Sequence, residues 1–138
     1  MSWRVHCSAV DDVEVIEAAM SQLSSGKTQF IKEKSKSHHG APQTLLEIKI
    51  NSKKEAKQSL QSLGESVLNQ IMENDLDSQI DEDKVFHMRL SLSSFVAGNI
   101  RLAEGIERKS AVKGRYKIES YPGQEPREVL LELIRKYV

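Results

Sequence analysis

The chain has one cysteine, Cys7, which excludes an internal disulfide and any cysteine-based zinc site. Aromatic residues are only 5% of the 138, so a core must be built mostly from Leu, Ile, Val and Met. No apolar run approaches the roughly 20 residues of a membrane span. Charge of either sign is missing in net terms: 20 Lys and Arg balance 20 Asp and Glu, which excludes a histone-like composition. The first residues, Met1 to His6, lack the apolar core of a signal peptide and go straight into alternation. The expectation is a cytoplasmic protein with a single domain over 1–138, long enough to bury roughly two thirds of its unfolded surface.

What the sequence does contain is clear periodicity. Trp3, Val5, Cys7 and Ala9 alternate with Arg4, His6 and Ser8, the pattern of a half-buried strand. Asp11-Asp12 offers a helix cap before Val13, Ile16, Ala19, Met20 and Leu23 at helical spacing. A second strand is expected from about Lys27 to Ser35. A third carries Leu46, Ile48 and Ile50 on one side and Glu47 and Lys49 on the other. Asn51-Ser52 caps the longest helix, about Lys53 to Glu73, with Gly64 inside its apolar stripe. An acidic connector from Asp75 to Asp83 leads to a fourth strand over about Val85 to Leu92. A helical turn over Ser93 to Ala97 precedes a last strand, where Val112, Tyr116 and Ile118 alternate with Lys113, Arg115 and Lys117. Pro126 opens a final helix bearing Val129, Leu130, Leu133, Ile134 and Tyr137. This order predicts an α+β, two-layer fold with helices packed on one face of a mixed, mainly antiparallel sheet.

The zero net charge hides segregation. Residues 27–57 hold 8 basic and 3 acidic side chains, residues 58–83 hold 7 acidic and no basic ones, and residues 84–117 hold 8 basic and 2 acidic. The basic blocks coincide with the predicted strands and the acidic block with the long helix and its exit. Lys113, Arg115 and Lys117 must share one side of the last strand, with Arg89 and His87 in the same phase on the fourth and Lys49 on the third. Such a face can track a phosphate backbone, although lysine-rich strand faces also serve simply to keep sheets soluble and unpaired. Phe30, Phe86 and Tyr116 fall in the core-facing phase, which favours backbone or shape recognition over base stacking.

Other motifs point to no chemistry. Gly26-Lys27-Thr28 resembles the end of a phosphate loop, but the position of its first glycine is Ser21 and the triplet follows a helix. His38 and His39 lack metal-ligand spacing and fit a loop that contacts phosphate or caps backbone. The acidic cluster from Asp75 to Asp83 lacks the glycine and final glutamate of a calcium loop. Cys7 is in the inward phase and reads as a small core residue. No catalytic group, metal site or cofactor is expected.

Two segments are distinctive: His38-His39-Gly40-Ala41-Pro42-Gln43-Thr44-Leu45-Leu46-Glu47, and Met88-Arg89-Leu90 followed by Phe95-Val96-Ala97-Gly98-Asn99-Ile100-Arg101-Leu102. They resemble the signatures of an archaeal family of small predicted RNA-binding proteins, also described as predicted exosome subunits. The chain departs from that pattern at Ser37, Ala41 and Ser91-Leu92. The resemblance implies a fold similar to ribosomal protein L-five, a homodimer, and a link to RNA processing. The expected function is therefore a non-catalytic RNA-binding protein. Its expected phosphate contacts are Lys49, Arg89, Lys113, Arg115 and Lys117 from the sheet, Arg101, Arg108 and Lys109 from adjoining loops, and His38 and His39 at one end. The alternative is a dimeric subunit that joins protein partners of an RNA-processing assembly without touching RNA.

Overall fold

Burial in the first strand, β1 (Ser2–Ser8), follows the sequence alternation residue by residue: Trp3, Val5 and Cys7 are buried while Arg4, His6 and Ser8 are exposed. The structure, a computed structural model, describes residues 1–24, 29–36 and 39–138. Four further strands are β2 (Gln29–Lys36), β3 (Pro42–Lys49), β4 (Val85–Leu90) and β5 (Val112–Lys117). They form one sheet in the order β2-β3-β1-β5-β4, and all four pairings are antiparallel.

The helices are α1 (Val13–Ser21), α2 (Lys53–Gln61), α3 (Glu65–Glu73), α4 (Leu76–Gln79), α5 (Leu92–Val96) and α6 (Pro126–Arg135). They bury one sheet face. Ile16 and Met20 of α1, Leu60 of α2, Leu68 and Ile71 of α3, and Leu130 and Ile134 of α6 join Trp3, Val5, Leu46, Ile48, Phe86 and Val112 in one core. Burial of such side chains contributes roughly 1.5–3 kcal/mol each. The Trp3 indole N–H donates to Ser59 Oγ at 2.8 Å, which satisfies the one polar atom of the largest core residue and ties β1 to α2. The Asp12 and Ser52 side chains accept from Val15 N and Glu55 N, capping α1 and α2 where the sequence predicts it. The Cys7 thiol is buried and its pKa is pushed up to about 11, chiefly by that burial, so it is an unreactive core group.

Gly114 admits the Trp3 ring to this core. A Cβ at Gly114 would stand 2.5 Å from Trp3 Cζ3 and 2.9 Å from Met88 Cγ. The β5 strand can therefore present Lys113 and Arg115 on its outer side only because nothing projects from its inner side between them.

Several sequence expectations change. The long helix over Lys53 to Glu73 is two helices, because Gly64 adopts φ 89°, a conformation that side-chain-bearing residues rarely take. The acidic connector keeps Asp75, Asp77, Glu82 and Asp83 exposed but is not without structure. It forms α4, and Ile80 then bridges to Phe86 along the outer edge of β4. The fourth strand stops at Leu90, since the buried Ser91 turns inward and its Oγ caps α5. A 3-10 segment, Gly105–Ser110, had no sequence signal strong enough to predict it. Residues 25–28, which include the Gly26-Lys27-Thr28 triplet and the expected start of the second strand, lie outside the described residues. Among those described, no helix is long and apolar enough to cross a membrane.

Candidate nucleic-acid interface

Directly paired residues of an antiparallel sheet share a face, with Cβ atoms roughly 4.5–5.5 Å apart. On the face opposite the helices, the register lines up Glu47, Arg4, Lys113 and Arg89 across β3, β1, β5 and β4. The next line holds Lys49, Ser2, Arg115 and His87. Lys117 follows beside Val85, and His6 stands on the other side, opposite Leu45. Arg4, Lys113 and Arg89 are thus three cations in successive contact positions, an arrangement that costs folding free energy through like-charge repulsion.

Carboxylates relieve this only at the margins. Glu47, 7% exposed, accepts from Arg4 Nε at 3.1 Å, and its other oxygen is 3.9 Å from Lys49 Nζ. Asp81, delivered by the edge connector, meets His87 Nε2 at 2.7 Å. That hydrogen bond, helped by the Val85 and Asp83 amides, holds the Asp81 carboxyl below its ordinary pKa. Among the described residues, Lys113 and Arg115 have no carboxylate within ion-pair distance. The acidic connector therefore borders the basic face at the β4 edge, instead of lying wholly behind it.

The face also depresses the pKa of groups around it. The His6 imidazole is lowered by partial burial, then by Lys113 and Arg4. The amino group of Met1 is lowered by burial and then by Arg115, while donating to the Ile50 carbonyl at 3.0 Å.

The predicted contact residues separate into groups. Lys49, Arg89, Lys113, Arg115 and Lys117 all stand on the open face. Arg108 joins them, because its carbonyl accepts from Arg89 Nη1 at 2.7 Å and it lines the same depression as Arg4, Lys113 and Arg115. Lys109 is exposed on the same 3-10 segment. Lys117 is partly engaged, donating from Nζ to the Asp83 carbonyl.

Arg101 does not belong to the group. It grips Glu107 with two bonds, Nη1 to Oε1 at 3.0 Å and Nη2 to Oε2 at 2.6 Å, and also donates to Ser91 Oγ and Ser94 Oγ. The Glu107 pKa falls to about 2, chiefly through Arg101, with help from the Glu104 amide and the Ser91 hydroxyl. This guanidinium clamps the 3-10 segment to α5 and is spent as a cation.

His39 sits in the β2–β3 turn, beyond the Ser8–Gln43 pair and several positions from Arg115, so the register does not bring it to the cationic lines. His38 lies outside the described residues. Arg4 was legible from its phase in the first strand, yet nothing in the sequence places that strand between the third and the fifth.

The profile of the RNA-binding family matches residues 1–118. No curated protein matches the chain by sequence. The fold is similar to that of the DUF54 protein AF2318 from Archaeglobus fulgidus, with TM-score 0.72, 25% identity, and 99% of this chain and 98% of that one covered. It is also similar to Mth689, a DUF54 protein from Methanothermobacter thermautotrophicus (TM-score 0.71, 21% identity, 99% and 94% covered). A third match is protein SSO0741 from Sulfolobus solfataricus (TM-score 0.73, 17% identity, 99% and 98% covered). With its profile matched over most of the length and its fold shared with archaeal structures, the chain belongs to the RNA-binding family.

Proposed function

We propose that the protein is a non-catalytic RNA-binding module whose open sheet face holds the phosphate backbone. Lys49, Arg89, Lys113, Arg115 and Lys117 make the contacts, with Arg108 and Lys109 extending them at the β4 margin. The observation that supports this reading is the line of Arg4, Lys113 and Arg89 beside Arg115, in which only Arg4 meets a carboxylate, Glu47, among the described residues. Folding gains nothing from three adjacent cations, and a bound polyanion relieves them. Contacts of this kind position RNA without reading its sequence.

The resemblance further suggests a homodimer serving RNA processing beside the archaeal exosome, in the cytoplasm. Size measurement in solution and co-purification from native cells test those additions separately.

The direct test is RNA affinity as a function of salt. Each single-strand phosphate contact contributes a slope of about −0.7 in log K against log salt, so about five contacts give roughly −3.5. A flat salt dependence, or no binding by the wild-type protein, overturns the reading. Stable capture of a protein partner without affinity for naked RNA would favour a purely protein-joining role instead.

A further inference from the structure

The basic face does not end at the sheet. A depression lined by Arg4, Lys49, Arg115 and Lys117 also includes Met1, Ile50 and Asn51. These last three, with Lys117, then form one wall of a larger groove of about 660 Å³ between the start of α2 and α6. The groove is large enough for a nucleotide-sized ligand. Lys53, Lys57 and Lys136 line it, and so does Tyr121.

Tyr121 is the informative residue. Strand aromatics are spent in the core, and Phe86 and Tyr116 are 0% and 6% exposed, whereas Tyr121 is 78% exposed. Its backbone is held at both ends by one neighbour: the Tyr121 N–H donates to Gln124 Oε1 at 2.9 Å, and its carbonyl accepts from Gln124 N at 3.0 Å. A large ring on a fixed turn, beside several ammonium groups, is a stacking platform kept free of the core. Two carboxylates border the groove, Glu119, 3.9 Å from Lys53 Nζ, and Glu132 on the α6 side. The cations outnumber them, and the groove opens onto the open sheet face through Lys117.

We infer that this groove receives a base of a single-stranded RNA whose phosphates run across the sheet face, with Tyr121 stacking on the base and Lys53, Lys117 and Lys136 meeting the adjoining phosphates. The inference rests on the RNA-binding reading of that face and adds to it a preference for unpaired nucleotides. A duplex keeps its bases stacked on one another and offers none to Tyr121. Stacking tolerates any base, so the preference is for strandedness and not for sequence.

The test compares three probes of equal length: a single-stranded oligoadenylate, an abasic oligoribonucleotide and an RNA duplex. The wild type should bind the oligoadenylate more tightly than the abasic strand. Tyr121→Ala should weaken oligoadenylate binding by roughly 5- to 150-fold, leave the other two probes unchanged, and leave the salt slope unchanged. Tyr121→Phe should retain wild-type affinity. Because Tyr121 is exposed, thermal melting should match the wild type.

Equal affinity of Tyr121→Ala and wild type for the oligoadenylate overturns the groove proposal alone, provided that Arg115→Glu/Lys117→Glu still weakens binding. Equal loss on all three probes, or a change in assembled mass with Tyr121→Ala, assigns the ring to folding or to a protein contact and also overturns it. No binding by the wild type to any probe overturns this proposal and the reading beneath it together.

Discussion

Arg115 and Arg101 carry the same charge and lie in the same basic block of the sequence, yet they stand in opposite surroundings. Around Arg115 are His87, the lowered amino group of Met1 and further cations, with no carboxylate in ion-pair reach among the described residues. Around Arg101 are Glu107 on two hydrogen bonds and the hydroxyls of Ser91 and Ser94. The first arrangement leaves charge available at a cost to folding. The second consumes charge to join α5 to the 3-10 segment. A count of basic residues treats them alike, and only the register and the partners separate a binding cation from a structural one.

The sharpest break of this comparison is a pair of variants. Arg115→Glu/Lys117→Glu should reduce RNA affinity by roughly 25-fold or more at about 0.1 M salt, from two lost contacts at a slope of about 0.7 each, with little change in melting. Arg101→Ala should do the reverse, lowering the melting temperature while the RNA affinity of the folded protein stays near wild type. Titration of binding and a thermal melt on each variant check both halves. If Arg101→Ala lost as much affinity as the charge reversal at unchanged stability, the distinction would collapse.

Next in size is the backbone that presents the face. Gly114→Ala should destabilise the protein by about 1–3 kcal/mol, because the new methyl meets Trp3 and Met88 inside the core. Chemical denaturation reads this directly, and a neutral outcome would mean that the Trp3 ring is free to shift.

A smaller effect tests the margin. Glu47→Gln removes the carboxylate lodged in the cationic lines and should tighten RNA binding by up to about 5-fold, equivalent to about one more effective contact. Unchanged affinity would show that Arg4 and Lys49 contribute nothing beyond pairing with Glu47.

Proton linkage gives the finest distinction. The pKa of Glu107 is depressed, so its contribution to stability is full above the ordinary carboxylate range and lost as pH falls toward about 2. Arg101→Ala removes the main cause of that depression, so the variant should be less stable than wild type at neutral pH, and the gap should close as pH falls below the ordinary carboxylate range. His6 behaves in the other sense on binding. Its pKa is lowered by burial, Lys113 and Arg4, so phosphate placed on the face should raise it, and RNA affinity should grow modestly as pH falls into the range where the imidazole takes up its proton. A His6→Gln variant should lose that pH dependence and little else.

Much of this was readable in the residues. Period two in β5 puts Lys113, Arg115 and Lys117 on one side, and the apolar stripes put the helices on the other. The α1 and α2 caps, Asp12 and Ser52, and the opening of α6 at Pro126 were equally plain. What escaped depended on long-range pairing. Strand order sets β1 beside β5 and so brings Arg4 next to Lys113, a neighbour relation that no local pattern contains. The partner of Arg101 lies six residues away in a 3-10 segment of weak propensity, so its neutralisation was invisible. Gly64 marked a weak point in the long helix, but whether a glycine bends or ends a helix depends on the packing on either side. Tyr121 lies past the last strand, where alternation no longer reports which side chains are inward.

The central claim is that cations gathered from four strands on one sheet face, in excess of the carboxylates beside them, hold the RNA backbone. The slope of RNA affinity against salt, measured side by side for the wild type and Arg115→Glu/Lys117→Glu, tests it most directly. A steep wild-type slope near −3.5, reduced by about 1.4 or more in the variant, is the predicted result. Equal slopes for the two proteins would contradict it.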